Sequence, residues 1–455
     1  MSAVTQSNYA DLPSSRLERD VRQGMVPRRV DPGKIAIGVV IGRTSEFFDF
    51  FVYCIASVLV FPQFLFPSLD PMSGMLASFA IFSLAFIARP IGSLFFMRID
   101  RKHGRGVKLT AAMLLLGFAT AAIAFLPGYA DIGYYAVWFL VALRFAQGIA
   151  LGGAWDGLAS LLALNAPDNK RGWYAMMPQL GAPLGFMLAS ALFAYFVASL
   201  SHTDFVDWGW RFPFFVAFAI NVVALFARLR LVMTPEFATL LDRNELQAER
   251  VRSTFRANGK SILIGAFVPL ASYALFHLVT VFPLSWVVLY TKDSISHFLV
   301  VQIIGGLVGA GTIVLSGILA DRIGRRRLLG WSAVLIGVGG FLTPFLYAGG
   351  VFGEDLIVVL GFALLGLSFG QASGAVASNF QKAYRYSASA ITSDLAWLIG
   401  AGFAPLVALA LCNTFTNLFD SMFAGLVAVG AYLLSGAVVT LLALYFNHQM
   451  LTIHD

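Results

Sequence analysis

Charged side chains are scarce in this sequence. Asp, Glu, Lys and Arg together make up 12% of the 455 residues, about half the share found in a typical soluble domain. Hydrophobic residues make up 58%, and the mean hydropathy is +0.79. This balance excludes an ordinary soluble globular protein and places most of the chain in lipid. The two cysteines, Cys54 and Cys412, lie in or beside apolar runs, so the sequence does not support a disulfide framework.

Motifs for catalysis, metal binding and ATP binding are also missing. Gly259-Lys260-Ser261 lacks the earlier glycine of a phosphate-binding loop, because Thr254 occupies that position. We identify neither a His-Glu-x-x-His metal pair nor a nucleophile elbow. The sequence therefore predicts that the protein is not an enzyme, takes no cofactor or metal, and uses no ATP, so that any energy it needs must come from a gradient.

Twelve apolar runs are long enough to span a bilayer. They cover roughly residues 35–61, 73–97, 108–127, 134–163, 174–199, 211–232, 261–290, 297–320, 329–348, 355–377, 388–412 and 421–446. The longest connection falls after the sixth run and divides six runs from six. We predict an all-α membrane protein with about twelve transmembrane helices in two six-helix halves.

Basic residues are distributed unevenly between the segments that connect these runs. With the amino terminus inside, 26 of the 31 Lys and Arg residues lie in inner segments, and the outer loops contain one, Lys292. The positive-inside rule then places both termini in the cytoplasm. Because the charges are spread over these loops rather than over one domain face, we do not expect nucleic acid as a partner.

The same pattern predicts the domain boundaries. Residues 1–34 form a polar cytoplasmic tail without the apolar core of a signal peptide. The predicted order continues with a six-helix bundle at 35–232, a cytoplasmic linker with a surface helix at 233–260, a second six-helix bundle at 261–446 and a tail at 447–455.

The two halves contain a faint internal repeat. Gly104-Arg105 follows the second run and Gly324-Arg325 follows the eighth, 220 residues later. Six helices separate the copies, so both have the same topology, as in a parallel repeat about an axis normal to the membrane. A substrate site is then expected near the midplane between the halves.

A polar stripe runs through the first apolar run. On a helix, Arg43, Glu46, Asp49 and Tyr53 fall within an arc of about 120° and cover about 15 Å of rise. Each charge near the bilayer centre costs about 2.5 to 3.5 kcal/mol on insertion scales. The stripe must therefore face a bundle interior or a water-filled cavity.

The connection after the eighth run resembles the cytoplasmic-loop signature of the major facilitator superfamily. It reads Gly317-Ile318-Leu319-Ala320-Asp321-Arg322-Ile323-Gly324-Arg325-Arg326-Arg327. We expect Asp321 to lie against the positive end of a neighbouring helix and the arginines to hold the inner gate closed. The alternative is that these arginines are only positive-inside anchors.

Further segments resemble the metabolite:proton symporter family within that superfamily. They are Glu46-Phe47-Phe48-Asp49-Phe50-Phe51, Arg89-Pro90-Ile91-Gly92, Leu143-Arg144-Phe145-Ala146-Gln147-Gly148, Gly152-Gly153-Ala154-Trp155, Gly181-Ala182-Pro183-Leu184-Gly185, Trp208-Gly209-Trp210-Arg211-Phe212-Pro213-Phe214, Thr234-Pro235-Glu236-Phe237 and Arg385-Tyr386-Ser387. The match runs from about Gly38 to Pro405. It implies proton-coupled uptake of small carboxylates, betaines or related metabolites into bacteria, across the cytoplasmic (inner) membrane.

The sequence departs from the family pattern at several positions. In the first loop signature Met97 replaces the leading glycine, Arg101 falls where the aspartate belongs, and Asp100 comes one residue early. Around the fourth helix Ala154 stands where the family has glutamate, with Asp156 two residues on. Ser378 stands where glutamate is usual. Arg43 replaces a small or polar residue, and this added cation favours an anionic substrate.

Four acidic residues are candidates for proton coupling. Asp49 is our first choice, because it lies near the middle of the first helix, where burial favours the protonated form of a carboxyl group. Glu46 shares the stripe and could exchange roles with it. Asp156 and the lone intramembrane acid Asp394 complete the set. Permanently paired structural charges are the alternative interpretation.

Substrate-binding and gating candidates lie along the same predicted pathway. Arg144 is favoured for a substrate carboxylate, since guanidinium binds carboxylates in a fork, although a structural ion pair is nearly as good an interpretation. A lone buried histidine such as His277 is more often hydrogen-bonded in the packing. The predicted substrate-binding residues are Arg43, Tyr53, Arg144, Gln147, Tyr273, His277, Gln371 and Trp397; the predicted gating residues are Arg89, Asp321, Arg322, Arg325, Arg326 and Arg385.

The sequence thus predicts a secondary transporter that imports a small organic anion with protons by alternating access. Its expected partners are membrane lipid, protons and the substrate, and we expect a monomer. The sequence leaves open a zwitterion symporter, and an exchanger or exporter on the same fold. A non-transporting sensor or membrane enzyme is a more remote alternative, because long soluble domains are missing.

Overall fold

The computed structural model describes residues 32–154, 162, 166–232, 248–377, 380 and 384–447. Within these residues the chain is helical, and no strand occurs. Asp156, Ser378, residues 1–31, most of the predicted linker (233–247) and residues 448–455 lie outside the described residues, so the predictions for them stay predictions.

Twelve long helices form the described part of the chain. They are α1 Pro32–Leu59, α2 Pro71–His103, α3 Arg105–Ala124, α4 Tyr134–Gly153, α5 Arg171–Ser199, α6 His202–Leu229, α7 Leu270–Tyr290, α8 Ile295–Ile323, α9 Arg325–Tyr347, α10 Gly350–Ser373, α11 Arg385–Phe419 and α12 Met422–Phe446. All except α1 are apolar enough to cross a membrane, and α1 has the length to do so but contains the predicted polar stripe. The prediction of about twelve transmembrane helices is confirmed.

An additional helix, Val251–Phe267, precedes α7. It crosses residue 260, where the sequence pattern placed the boundary between linker and second bundle. Val268 and Pro269 separate it from α7, because a proline without an N–H interrupts helical hydrogen bonding.

The two ends of the bundle differ in charge. The α2–α3 and α8–α9 connections carry arginine and lysine, and we refer to their end as the basic end. The opposite end, which we refer to as the acidic end, carries Asp70, Asp131 and Asp293 in the connections between helices and Asp204 in the first turn of α6. The Lys and Arg residues of the α2–α3 and α8–α9 connections lie at one end of the bundle, as the distribution of basic residues along the sequence predicts.

The internal repeat is visible in two glycines. Gly104 joins α2 to α3 with φ +84°, and Gly324 joins α8 to α9 with φ +86°. Only glycine adopts this left-handed backbone without strain. The same turn therefore occurs at equivalent positions of both halves, 220 residues apart, as predicted.

Two helices are irregular near the middle of the bundle. In α7 the helix is interrupted at Val281, just before Pro283. In α11 a wide, π-type turn runs from Leu398 to Gly402 and is followed by Pro405. Such interruptions occur mostly at functional sites, and in transporters they lie at the substrate-binding midplane.

One stretch of α10 has the spacing of a nucleophile elbow without its geometry. Gly366 to Gly370 reads G-x-S-x-G but lies inside a continuous helix. The hydroxyl of Ser368 lies within hydrogen-bond distance of the carbonyl oxygen of Leu365 and of the hydroxyl of Ser272. Because the strand-to-helix turn of a hydrolase is replaced by helix, Ser368 is a packing residue here.

Helices α2 and α4 approach so closely that only glycine fits between them. A Cβ at Gly148 would overlap the carbonyl oxygen of Ala85, and one at Gly152 would overlap the carbonyl oxygen of Arg89. Small residues of this kind allow transmembrane helices to pack backbone against backbone. The contact fixes the position of Arg144, one turn away on α4.

We expect Gly148→Ala to destabilise the protein. The added methyl group must push α2 and α4 apart, and overpacking of this kind costs about 1 to 3 kcal/mol. Gly311→Ala is the matched control, because a Cβ there meets nothing within 4 Å. Melting temperatures of the purified variants in detergent check this; equal values for both would contradict the packing account.

Candidate functional site: a buried polar network between the two halves

The carboxylate of Asp49 lies at the centre of the first half and is only 3% exposed. Thr120 of α3 donates to it, with oxygen–oxygen distances of 2.8 and 3.0 Å. Asn221 of α6 donates to Oδ2 at 2.5 Å, and Ser45 donates to the amide oxygen of Asn221 at 3.3 Å. Polar groups from two other helices thus converge on one buried acid.

Arg144 joins this network from α4. Its Nη1 donates to Gln147 Oε1 at 3.1 Å, and Gln147 Nε2 donates to Thr120 Oγ1 at 2.9 Å. The guanidinium of Arg144 and the carboxylate of Asp49 are therefore linked through two polar side chains rather than by direct contact. Among the described residues, no carboxylate forms an ion pair with Arg144.

The guanidinium group of Arg144 retains an unused donor. Its Nε donates to the carbonyl of Phe82 at 3.2 Å, and its Cζ lies 3.8 Å from the ring centroid of Tyr53. Within the described structure, Nη2 of Arg144 and the hydroxyl of Tyr53 have no hydrogen-bond partner although both are buried. Leaving buried polar groups unpaired is costly, so these two groups are candidates for contact with a ligand.

His277 of α7 faces the same region from the second half. Its ring is 0% exposed, and neither ring nitrogen has a partner among the described residues. It is surrounded by the rings of Phe50, Phe82, Phe86 and Phe276, with centroid distances of 5.2 to 5.9 Å. The hydrogen bond expected for a histidine in the packing is not found among the described residues.

Aromatic rings from both halves fill the middle of the bundle. Phe51 of α1 stacks on Phe276 of α7, with centroids 5.5 Å apart, and Phe47 lies 6.3 Å from Trp397 of α11. Tyr273 stacks on Trp397 at 4.5 Å. These rings close the pathway at its centre, and Tyr273 and Trp397 belong to them.

Glu46 lies toward the basic end of the stripe and contacts two guanidinium groups. Oε2 is 2.5 Å from Arg43 Nη1, and Oε1 is 2.5 Å from Arg228 Nη1. Arg228, on α6, is 4% exposed and also donates to the carbonyl of Gly42 at 2.9 Å. Glu46 is therefore a paired charge in this conformation, unlike Asp49.

Asp394 forms an ion pair between the two halves. Its Oδ1 lies 2.8 Å from Arg89 Nε on α2, and Ser93 donates a hydrogen bond to its Oδ2. Asp394 is 4% exposed and begins the last turn before the irregular stretch of α11. Arg89, predicted as a gating residue, thus contacts the second half toward the basic end.

Two cavities flank the aromatic rings. A cavity of about 50 Å³ lies toward the basic end and is lined by Arg43, Glu46, Phe47, Phe50, Ala85, Phe86, Arg89, Leu151, Ala154 and Trp397. A larger cavity of about 400 Å³, the acidic-end vestibule, is lined by residues of α1, α2, α5, α6, α7 and α8. Exposed Leu69 and His202 lie at its rim, so the vestibule is reached from the acidic end.

Asp70 caps α2 beside the vestibule. Its carboxylate accepts a hydrogen bond from the Ser73 backbone N–H at 3.0 Å. Hydrogen bonds from Ser73 lower the pKa of the Asp70 carboxyl group below its ordinary value. The rim therefore keeps a negative charge at neutral pH.

The basic end is closed by contacts between the halves. Asp321, at the end of α8, accepts hydrogen bonds from the backbone N–H groups of Gly172 at 2.6 Å and Trp173 at 3.0 Å. These N–H groups belong to the first turn of α5, where the helix dipole favours an anion. The predicted placement of Asp321 against a helix N-terminus is confirmed. Gln179 and Ser373 add a hydrogen bond between the halves at 2.5 Å.

The α2–α3 connection, which carries the altered first copy of the cytoplasmic-loop signature, forms a different contact. Asp100 lies 3.6 Å from Lys108 Nζ and accepts from the hydroxyl of Tyr386 on α11 at 3.3 Å. Lys108 donates to the same hydroxyl at 2.8 Å. Arg101, in the position of the missing aspartate, donates to the carbonyl of Glu249 at 3.1 Å. A tyrosine-centred cluster thus replaces the carboxylate–helix contact of the other half.

Gln371 and most of the predicted gating arginines lie at the basic end of the bundle. Gln371, predicted to bind substrate, lies instead at the basic end, where its Nε2 donates to the carbonyl of Gly172 at 3.0 Å. Arg325 donates to Gln371, and Arg326 donates to the carbonyl of Leu444 within its own half. The side chain of Arg322 is exposed, and Arg385 is the first residue of α11.

Sequence reasoning missed five residues that take part in these contacts: Ser45, Ser93, Thr120, Asn221 and Arg228. A threonine, a serine or an asparagine alone in an apolar run is a weak signal, because such residues also bond to their own helix. Arg228 lies near the end of its apolar run, where a basic residue is typical of the adjoining cytoplasmic loop. Its helical position within the run was the signal that could have identified it.

The comparisons with known proteins agree with this architecture. The model of the Major Facilitator Superfamily matches residues 39–405. The inner membrane metabolite transport protein YhjE of Escherichia coli is 34% identical, over 91% of this chain and 94% of that protein. The shikimate transporter and the proline/betaine transporter of E. coli are 29% and 28% identical, each over 90% of this chain and over 92% and 84% of their own lengths.

A solved structure shows the same fold. The crystal structure of a D-xylose-proton symporter superposes with a TM-score of 0.69 at 19% identity, covering 89% of this chain and 96% of that one. Together with the twelve helices in two similar halves, these matches exclude an enzyme and establish a multi-pass membrane transporter of small molecules. The chain belongs to the major facilitator superfamily.

Proposed function

We propose that the protein is a proton-coupled symporter that imports a small organic anion. The observation that carries this proposal is the buried guanidinium of Arg144, which has an unpartnered Nη2 and is connected through Gln147 and Thr120 to the carboxylate of Asp49. A cation with a free donor receives an anion, and a nearby buried acid receives a proton. Both functions then reside in one network.

In this mechanism the substrate carboxylate binds Arg144 Nη2 and the hydroxyl of Tyr53. His277 approaches from the second half and offers a ring nitrogen to another polar atom of the substrate. The substrate anion compensates the positive charge of Arg144. That charge then no longer stabilises the ionised form of Asp49, and a proton neutralises the Asp49 carboxylate. The loaded site then carries less net charge and can pass through the low-dielectric closed state.

The proposed direction of transport follows from the charge difference between the basic end and the acidic end of the bundle. We place the basic end in the cytoplasm, with both termini there, because of the positive-inside rule. The vestibule at the acidic end then faces the periplasm of a bacterial inner membrane, while the contacts of Asp321 and Asp394 keep the cytoplasmic side closed. Substrate enters from the periplasm, and a monomer contains all the groups involved.

A zwitterion is the second candidate substrate. The rings of Phe47, Phe276 and Trp397 could hold a quaternary ammonium group by cation–π attraction while Arg144 binds its carboxylate. Against this, Arg43 already lies 5.0 Å from the Phe47 ring and Arg89 5.9 Å from the Trp397 ring. The arginines at these rings favour an anion without a second, positive group.

Substrate and coupling can be tested in two steps. Thermal shifts of the purified protein with lactate, succinate, benzoate, shikimate and glycine betaine identify the ligand, since a ligand of the native state raises stability by mass action. Uptake of that ligand into proteoliposomes is then measured with an inward proton gradient and with the gradient collapsed. We expect accumulation to fall to equilibration when the gradient is collapsed. Undiminished accumulation would contradict proton coupling, and a strict requirement for internal substrate would favour an exchanger.

We expect Asp321→Asn to loosen the closed cytoplasmic side. The amide keeps an acceptor but loses the charge that strengthens the bonds to Gly172 and Trp173. A cysteine introduced at Ala154, which lines the inner cavity, reports the opening. In a background without Cys54 and Cys412, its labelling by a membrane-impermeant thiol reagent should accelerate about 3- to 10-fold. Arg322→Gln, whose side chain is exposed, is the matched control and should change labelling much less.

A further inference from the structure

The cavity near the basic end contains two arginines that the central site does not use. Arg43 and Arg89 line it together with the rings of Phe47, Phe86 and Trp397. Its volume of about 50 Å³ has room for about three water molecules, which is also the space of one carboxylate group. Arg43 lies ten residues before Tyr53 on α1, about 15 Å along the helix axis. The cavity and the central site are therefore separate positions on one pathway.

Arg43 has hydrogen-bonding capacity to spare. Among the described residues, its one hydrogen bond runs from Nη1 to Glu46, although a guanidinium group has five N–H donors. Glu46 also receives Arg228 on its other oxygen, so this carboxylate is shared by two cations. The side chain of Arg43 is 23% exposed at a cavity wall. Its remaining donors are thus available to a molecule in the cavity.

In this closed conformation Arg89 is paired across the two halves. Its partner Asp394 belongs to the second half, whereas Arg43 and Arg89 both belong to the first. When the halves separate at the basic end, the distance between Arg89 and Asp394 must increase. Arg89 and Arg43 then face the opened cavity on the same half.

We propose that Arg43 and Arg89 form a second carboxylate subsite, which holds the substrate anion on its way from the central site to the cytoplasm. The inference rests on the proposed anion transport and adds a binding position on the inner side. The two arginines lower the free energy of an anion that has left Arg144 and crosses the aromatic rings. They also set the affinity for substrate that approaches from the cytoplasm.

The test measures affinity separately from each side of the membrane. Uptake of radiolabelled succinate, benzoate and shikimate is measured in right-side-out and inside-out vesicles that contain wild-type protein, Arg43→Gln or Arg43→Lys. We expect Arg43→Gln to raise KM from the cytoplasmic side at least about tenfold, as for the loss of one charge-assisted contact. KM from the periplasmic side should change less than about threefold, and Arg43→Lys should restore most of the cytoplasmic affinity.

The outcomes separate this inference from the proposed function. Equal KM changes on both sides, or none on either side, in a variant that still transports would overturn the second subsite and leave the symporter proposal intact. Absence of transport of all three anions by wild-type protein would overturn both. Glu46 keeps Arg228 as partner in Arg43→Gln, so the variant should fold; its melting temperature, measured beside wild type, verifies this.

Discussion

Arg144→Gln is expected to lower uptake of the transported anion by at least about 30-fold. Removing one partner of a buried charge contact costs about 2 to 5 kcal/mol, and each 1.4 kcal/mol is a factor of ten. The glutamine cannot provide the donor that Nη2 of Arg144 presents beside the Tyr53 hydroxyl. Initial rates in proteoliposomes over a range of substrate concentrations measure the loss, which should appear mainly in KM.

Two further variants show whether the effect is specific. Arg144→Lys keeps the charge but loses the planar fork, so it should recover only part of the affinity. Arg211→Gln removes another arginine near the membrane, whose Nη1 donates to the carbonyls of Ala124 and Leu126. We expect Arg211→Gln to lower the melting temperature and to leave KM unchanged. Wild-type KM in Arg144→Gln would show that the arginine is structural.

Asp49→Asn is expected to abolish accumulation while retaining exchange. The amide imitates a protonated carboxyl group and can still accept from Thr120 and Asn221, so the variant remains locked in the proton-loaded form. Uptake driven by a proton gradient should fall to the level of protein-free vesicles. Counterflow, in which labelled external substrate exchanges with internal substrate, should stay within about threefold of wild type because it needs no net proton release.

Glu46→Gln is the matched control for this variant. Glu46 lies one turn from Asp49 on the same face but contacts Arg43 and Arg228 at 2.5 Å. We expect Glu46→Gln to lower stability, since it removes the buried carboxylate charge that Arg43 and Arg228 both contact, while accumulation in the folded protein persists. Loss of accumulation in Glu46→Gln with normal accumulation in Asp49→Asn would exchange the two roles.

Much of the architecture could be predicted from the sequence because lipid imposes strong constraints. Runs of about twenty apolar residues must be helices, and the distribution of arginine and lysine marks their ends. The repeated glycine turn was recognisable because only glycine tolerates that backbone, so Gly104 and Gly324 had to be retained in the sequence. The helix bounds differ from the runs mainly where proline interrupts them, as before α7.

The site was predictable only in part. Asp49, Glu46 and Arg144 stood out because charges in an apolar run are expensive and must have partners. Which charges pair could not be read from spacing: Glu46 binds Arg228, which is 182 positions away, and Asp394 binds Arg89 of the other half. Gln371 shares its chemistry with Gln147, yet one lies at the gate and the other in the central network. Tertiary packing alone decides such cases.

The most direct test of the account is the proton movement that accompanies substrate. Proteoliposomes without an initial pH gradient receive the ligand identified by thermal shift, and an external pH indicator follows the medium. We predict that the medium becomes more alkaline as anion enters with protons, and that Asp49→Asn and Arg144→Gln abolish this change. Substrate uptake without any pH change in wild-type vesicles would contradict the proposal that the Asp49–Arg144 network couples proton and anion.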